Sequence, residues 1–269
     1  MQAAKLPFRA GWSWIQEGGR IFRRQPLAMF FWGLLTSLFI TISSVIPILG
    51  QMLLIAATPV LTFITLCACR HISNGRQMMP GMWLEPLRDK DVRRRLFRLG
   101  LAYLACCMLA GFAATLPFLG QLTAAIVDGA NVDPAVLFDA LLRPLITFAV
   151  LYVMISALFW HAPALTGWHG IKLVQALFYS MVACWRNKWP FLLYGLSWGA
   201  IFMAVQFCGT ILTSVGLPSG MVQLVLMPVN IIVAAILYCS FYPTYMSVFG
   251  VNYATSAGDG AGTADDSDA

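Results

Sequence analysis

The chain has 269 residues, of which 59% are hydrophobic and 10% charged, with a formal net charge of +6. Soluble globular chains hold roughly 45–50% apolar and 25% charged residues, so a water-soluble globular domain is excluded. A mean hydropathy of +0.76 and charges bunched between long uncharged intervals are the composition of a membrane protein.

Residues 1–26 carry Lys5, Arg9, Arg20, Arg23 and Arg24 ahead of the first apolar run. That run is too long for a signal peptide and no small-residue cleavage site follows it, so the segment is expected to be retained. Phe8, Trp12, Ile15 and Phe22 recur at helical spacing, with Arg9, Ser13, Gln16, Arg20 and Arg24 on another face. This predicts an amphipathic helix in the headgroup plane; the alternative is a lead-in helix packed on the bundle.

Six uncharged intervals follow, at 27–49, 52–69, 99–120, 144–160, 191–213 and 221–248. A helix needs about 20 apolar residues to cross the hydrocarbon layer; the fourth interval, at about 17, is near the lower limit. None alternates with period two, and a lone segment in lipid must satisfy its own backbone, so all six are predicted as helices. The expected fold is all-α, a polytopic bundle of six spanning helices in three hairpins, with cytoplasmic interfacial helices. Its divisions are 1–26, an interfacial helix; 27–248, the transmembrane domain; and 249–269, a disordered acidic cytoplasmic tail.

The motif VIPILGQM at 45–52 recurs as TLPFLGQL at 115–122 and, more loosely, as VGLPSGMVQL at 215–224. Proline stops the helical ladder and glycine supplies a turn conformation, so Pro47 with Gly50, Pro117 with Gly120, and Pro218 with Gly220 are predicted as hairpin turns. RRQPLAMFF at 23–31 also parallels RNKWPFLLY at 186–194, each opening a span with proline. The first and third hairpins therefore read as a parallel repeat, or as convergent turn chemistry.

Between spans two and three the chain carries Arg70, Arg76, Arg88, Lys90, Arg93, Arg94, Arg95 and Arg98; Lys172, Arg186 and Lys188 lie between spans four and five. With the leading segment, 16 of the 17 basic residues fall on one side, and only Arg143 joins Asp128, Asp133 and Asp139 on the other. Such an excess marks the cytoplasmic side and places both termini there. Within EPLRDKDVRRRLFR at 85–98, Val92, Leu96 and Leu99 form a helical apolar stripe, and Asp89 and Asp91 sit four residues before Arg93 and Arg95. Arg93, Arg94, Arg95 and Arg98, together with Arg20, Arg23 and Arg24, are candidate contacts for anionic lipid headgroups at about 1 kcal/mol each. Nucleic acid is not expected as a partner, because these charges are already needed to hold topology. Residues 171–185 repeat the amphipathic pattern through Ile171, Val174, Phe178, Met181 and Trp185.

No acidic or basic side chain falls inside a predicted span, where proton relays need one. The buried polar candidates are Gln206 and Asn230, with Thr58, Thr62 and Thr65. They serve either as interhelical hydrogen bonds or as the lining of a small polar cavity. Seven cysteines, without partners at zinc spacing, read as reduced buried thiols, so no metal is expected. His161 and His169 read as interface histidines beside Trp160 and Trp168 as aromatic anchors. No phosphate loop or nucleophile elbow occurs, so neither a catalytic residue nor a cofactor is assigned. The last residues, small and acidic, cannot bury enough to fold.

LPFRAGWSWIQEGGRIFRRQPL at 6–27, with IPILGQML, TPVLT, CRHISNGR and ACWRNKWPFLLYGL, resembles an uncharacterised family of proteobacterial inner-membrane proteins. That resemblance implies location and architecture; the family has no assigned activity, and no site residue is carried over from it. Two functions remain open. One is a non-catalytic membrane component engaging anionic lipid or membrane partners through its basic segments. The other is a small-molecule permease with a pathway between the first and third hairpins.

Overall fold

The computed structural model describes residues 3–127 and 134–250, and all regular structure among them is helical. Helix α1, Ala10–Arg24, gives way at Gln25 (φ −144°, ψ 69°), and Pro26 opens α2, Pro26–Val45. Proline at that position loses no hydrogen bond, because the first amides of a helix have no internal partner. Helix α3 spans Leu49–Ser73. The reversal between α2 and α3 is made at Ile48, whose φ of 61° and ψ of −64° let the Leu49 N–H donate to the Pro47 carbonyl at 2.6 Å, a three-residue γ-turn. A Cβ on Gly50 would lie 2.1 Å from the Ser43 carbonyl oxygen, so glycine is what lets α3 start against the end of α2.

Two 3-10 turns, Pro80–Met82 and Glu85–Leu87, lead to α4, Lys90–Thr115. Asp89 caps it: its Oδ1 accepts from the Asp91 N–H at 2.8 Å and the Val92 N–H at 3.4 Å. The anticipated i, i+4 ion pair from Asp89 gives way to this cap, and Arg93 turns to the Leu87 carbonyl instead at 3.2 Å. Val92, Leu96 and Leu99 are buried as the stripe requires. The basic segment is therefore the first turns of the third spanning helix itself.

The remaining helices are α5, Leu119–Val127; α6, Pro134–Phe159; α7, Ala162–His169; α8, Leu173–Arg186; α9, Lys188–Ser214; and α10, Ser219–Tyr245. A π-helical turn, Met246–Gly250, ends the described chain. Among the described residues, six helical stretches are long and apolar enough to cross a membrane. Helix α10 touches α1, α2, α3 and α9; α3 packs on α4, and α4 on α6. The first hairpin thus sits between the third and the second.

Several boundaries differ from the sequence reading. TLPFLGQL does not reverse the chain: Leu116–Phe118 tightens into a 3-10 turn and helix continues through Val127, because proline is tolerated in the first turn of a new helix. Gly120 there would meet nothing with a Cβ. The third turn is made by Gly216 (φ 97°) and not by Gly220. The Gly216 N–H donates to Thr213 and the Leu217 N–H to Leu212, a Schellman end to α9 that Pro218 follows as the first cap of α10. The fourth span is not short, since α6 begins at Pro134 and accommodates Asp139 and Arg143 on its exposed surface. Asp128, Asp133 and the tail beyond 250 lie outside the described residues, while Phe249, expected in that tail, is buried in the core.

Helix α1 buries Gly11, Trp14, Ile15, Gly18 and Ile21 against α9 and α10, leaving Phe8 and Trp12 exposed. The buried face is rotated from the bulky stripe because small residues admit closer backbones: Cβ atoms on Gly11 and Gly18 would lie 2.2 Å from the Pro190 carbonyl oxygen and 2.7 Å from Ser240. Helix α8 buries Ala176, Ser180, Ala183 and Cys184 and turns Val174, Phe178 and Trp185 outward.

Candidate functional site at the basic end of the bundle

Short polar contacts gather the chain's basic segments at one end. Arg24 Nη1 donates to the Ser73 carbonyl at 2.9 Å. Gln25, at the α1–α2 break, donates through Nε2 to the Arg76 carbonyl at 2.8 Å and accepts from the Met78 N–H at 2.9 Å. The exit of α3 is thereby tied to the entry of α2. Behind it Trp32 stacks on Trp83 at 4.5 Å and donates to Thr65 Oγ1 at 2.8 Å. Asn187, fully buried between α8 and α9, holds the N-terminal strand of chain: Oδ1 accepts from the Leu6 N–H and Nδ2 donates to the Ala4 and Ala183 carbonyls, all within 3.0 Å.

Two recesses open at this end. The first, about 470 Å³, lies among the end of α3, the Glu85 turn, the start of α4, and α7. Its rim is Arg70, His71, Asn74, Arg76 and Glu85; its apolar wall is Phe63, Cys67, Val92, Gly167 and Trp168. Arg70 is fixed over the Trp168 ring, 5.3 Å from its centroid. The second, about 410 Å³, is a groove under the exposed face of α1, where Gln16, Arg20 and Arg23 stand beside Trp198, Ile201, Val233 and Ile236 of α9 and α10. Guanidinium groups there stand beside an apolar wall.

Within the membrane-spanning part, two smaller cavities adjoin along α3. One, about 170 Å³, is lined by Thr58, Thr62, Tyr103, Tyr152 and Ser156 among others; the Tyr103 and Tyr152 hydroxyls are 3.2 Å apart. The other, about 100 Å³, lies between α2, α3 and α10 and shares Thr58 and Thr62, adding Thr36, Thr65 and Tyr238. Most of these threonines already donate to the carbonyl four residues back, as Thr58 does to Leu54 and Thr62 to Thr58, both at 2.9 Å.

Of the residues singled out in the sequence, Arg20, Arg23, Arg24, Arg93, Arg94 and Arg98 are exposed at the basic end. Arg95 is half-buried beside Gly170, its Nε without a hydrogen-bond partner. Gln206 is exposed on the outer surface of α9, and Asn230 donates to the Leu226 carbonyl of its own helix at 3.0 Å; neither lines the paired threonine cavities. His161 is no interface residue. It is 1% exposed, ringed by Phe191, Tyr245 and Phe249, because the small residues after it let α7 fold inward. Trp160 and Trp168 are likewise half-buried packing residues, and His169 Nε2 meets the Tyr245 hydroxyl at 2.7 Å. The sequence reading missed Asn187, Arg70 and Arg76 as organising residues. CRHISNGR contained the last two, but nothing in it locates Trp168, nearly a hundred residues on.

These features define a multi-pass inner-membrane protein, with six spanning helices among the described residues and the basic segments collected at one end. A protein of Burkholderia thailandensis named as a probable inner membrane protein is 36% identical over 265 residues, covering 93% of this chain and 95% of its own. The chain belongs to the same family as that protein. No family model and no solved structure matches it.

Proposed function

We propose that the protein is a non-catalytic membrane component whose basic end faces the cytoplasm and engages anionic lipid headgroups. The observation that carries this reading is the groove under α1, which sets Arg20 and Arg23 directly beside the aliphatic wall of α9 and α10. A phosphate there meets two guanidinium groups while its acyl chains lie along Ile201, Val233 and Ile236. Exposed Arg93, Arg94 and Arg98, at the start of α4, add positive charge at the basic end. The test is the lipid retained when the protein is extracted in native-membrane nanodiscs. Arg20→Gln with Arg23→Gln should lower the phosphatidylglycerol fraction toward that of the bulk membrane; an unchanged fraction rejects the reading. Sidedness is tested separately with Arg94→Cys, which an impermeant maleimide should label only after the inner membrane is permeabilised.

A second reading, a permease for a small neutral solute, is favoured by the adjoining cavities at Thr58 and Thr62, the smaller lying where the first and third hairpins meet and the larger between the first and the second, with Phe241 of α10 at its edge. Under it Thr58→Val with Thr62→Val should abolish solute-dependent swelling of proteoliposomes, and swelling equal to wild type removes it.

A further inference from the structure

The recess beside Trp168 is built differently from the groove under α1. It borders loops and helix ends, and its lining combines two arginines, a histidine and an amide with two aromatic rings. We infer that it is a binding site for a phosphate ester whose organic part is flat or apolar. Arg70 and Arg76 supply charge and forked donors for the phosphate, His71 and Asn74 add further donors, and Phe63 with Trp168 gives the organic part an aromatic wall. Glu85, the one carboxylate in the lining, leaves the site net positive and offers an acceptor to a hydroxyl or amino group of the ligand.

Geometry supports a formed site. The cation–π contact holds Arg70 at the rim, and the Gln25 bridge holds the backbone of Arg76 and Met78. A Cβ on Gly167 would come within 2.1 Å of the Phe63 ring, so that ring already lies flush on α7 and the wall is closed behind it. A volume of about 470 Å³ falls within the roughly 300–1,000 Å³ of small-molecule sites.

A phosphate ester of this kind comes either from solution or from a lipid headgroup, and two probes separate them. The full-length protein in phosphatidylcholine nanodiscs is titrated with adenosine 5′-monophosphate by calorimetry. In parallel, nanodiscs carrying graded phosphatidic acid are scored by native mass spectrometry for a stoichiometric bound lipid. Saturable binding of either probe, weakened at least fivefold by Arg76→Gln and by Arg70→Gln but not by Arg94→Gln, establishes the site. The nucleotide alone then identifies a soluble ester, and phosphatidic acid alone a headgroup. Arg76→Gln decides if Arg70→Gln misfolds, because Arg76 is exposed and its anchoring contact is made by its backbone. Absence of saturable binding to both probes, or binding that Arg76→Gln leaves unchanged, overturns the inference. The residues differ from those of the α1 groove, so either claim can fail alone.

Discussion

Trp14 of the first helix donates its indole N–H to the Ser247 hydroxyl at 2.8 Å, across 233 residues of sequence. The beginning and end of the described chain are thus locked to each other, with Trp14 wedged between the rings of Phe191 and Tyr194. Trp14→Phe removes the donor and part of the ring volume. It should lower the melting temperature in detergent by several degrees, equivalent to about 1–3 kcal/mol, as followed by far-ultraviolet circular dichroism. A melt identical to wild type would show the contact to be idle.

Adjacent glycines in α1 make a paired test. Gly18 packs on Ser240, whose backbone a Cβ would approach to 2.8 Å, whereas nothing lies within 4 Å of a Cβ on Gly19. Gly18→Ala should cost about 1–3 kcal/mol through overpacking. Gly19→Ala should be neutral or stabilising by up to ~1 kcal/mol through helix propensity. Equal thermal shifts for the two would contradict the rotated face.

Asn187→Leu strands the Leu6 N–H and the Ala4 carbonyl. Each orphaned group costs about 1–3 kcal/mol when buried, and the segment escapes that cost by detaching. Tryptic cleavage after Lys5 should accelerate about tenfold or more, with the rest of the chain equally resistant. Unaltered cleavage would mean that the Ala4 N–H bond to Val248, at 2.9 Å, suffices.

Burial pushes the Cys184 thiol up to about 12, the Ser180 hydrogen bond only partly opposing it. Thiolate, the reactive form, is therefore scarce at neutral and mildly alkaline pH, and its fraction grows as pH rises toward that value. Mass mapping after N-ethylmaleimide at pH 8 should find Cys184 unmodified in the folded protein and modified in dodecyl sulfate. Modification of the folded protein would place α8 away from the bundle.

The spans and the basic end were legible because lipid solvation is a local demand, met or failed within about 20 residues. Val92, Leu96 and Leu99 form a stripe in the sequence and are buried, because bulky apolar residues at that period face the core of α4; in α1 and α8 the small residues decide the buried face instead. Turn motifs were less legible. Pro117 and Pro47 look alike in sequence, yet only Pro47 is followed by the φ of 61° that reverses the chain. Whether a proline ends a helix or opens the next one depends on what the following residues pack against. The recess was illegible for a related reason: Arg70 and Trp168 come from different hairpins, and no local pattern encodes their meeting.

The tip at Ile48 presents Val45, Ile46 and Leu49 outward. From Gln25 to Cys69 there is no Asp, Glu, Lys or Arg, and the same holds from Trp189 to Gly250. Two of the three hairpins can therefore enter the bilayer during biogenesis without dragging a charge through it. With the basic end in the cytoplasm, as proposed, the middle one carries Asp128, Asp133, Asp139 and Arg143 across, which makes it the step that depends most on the insertion machinery.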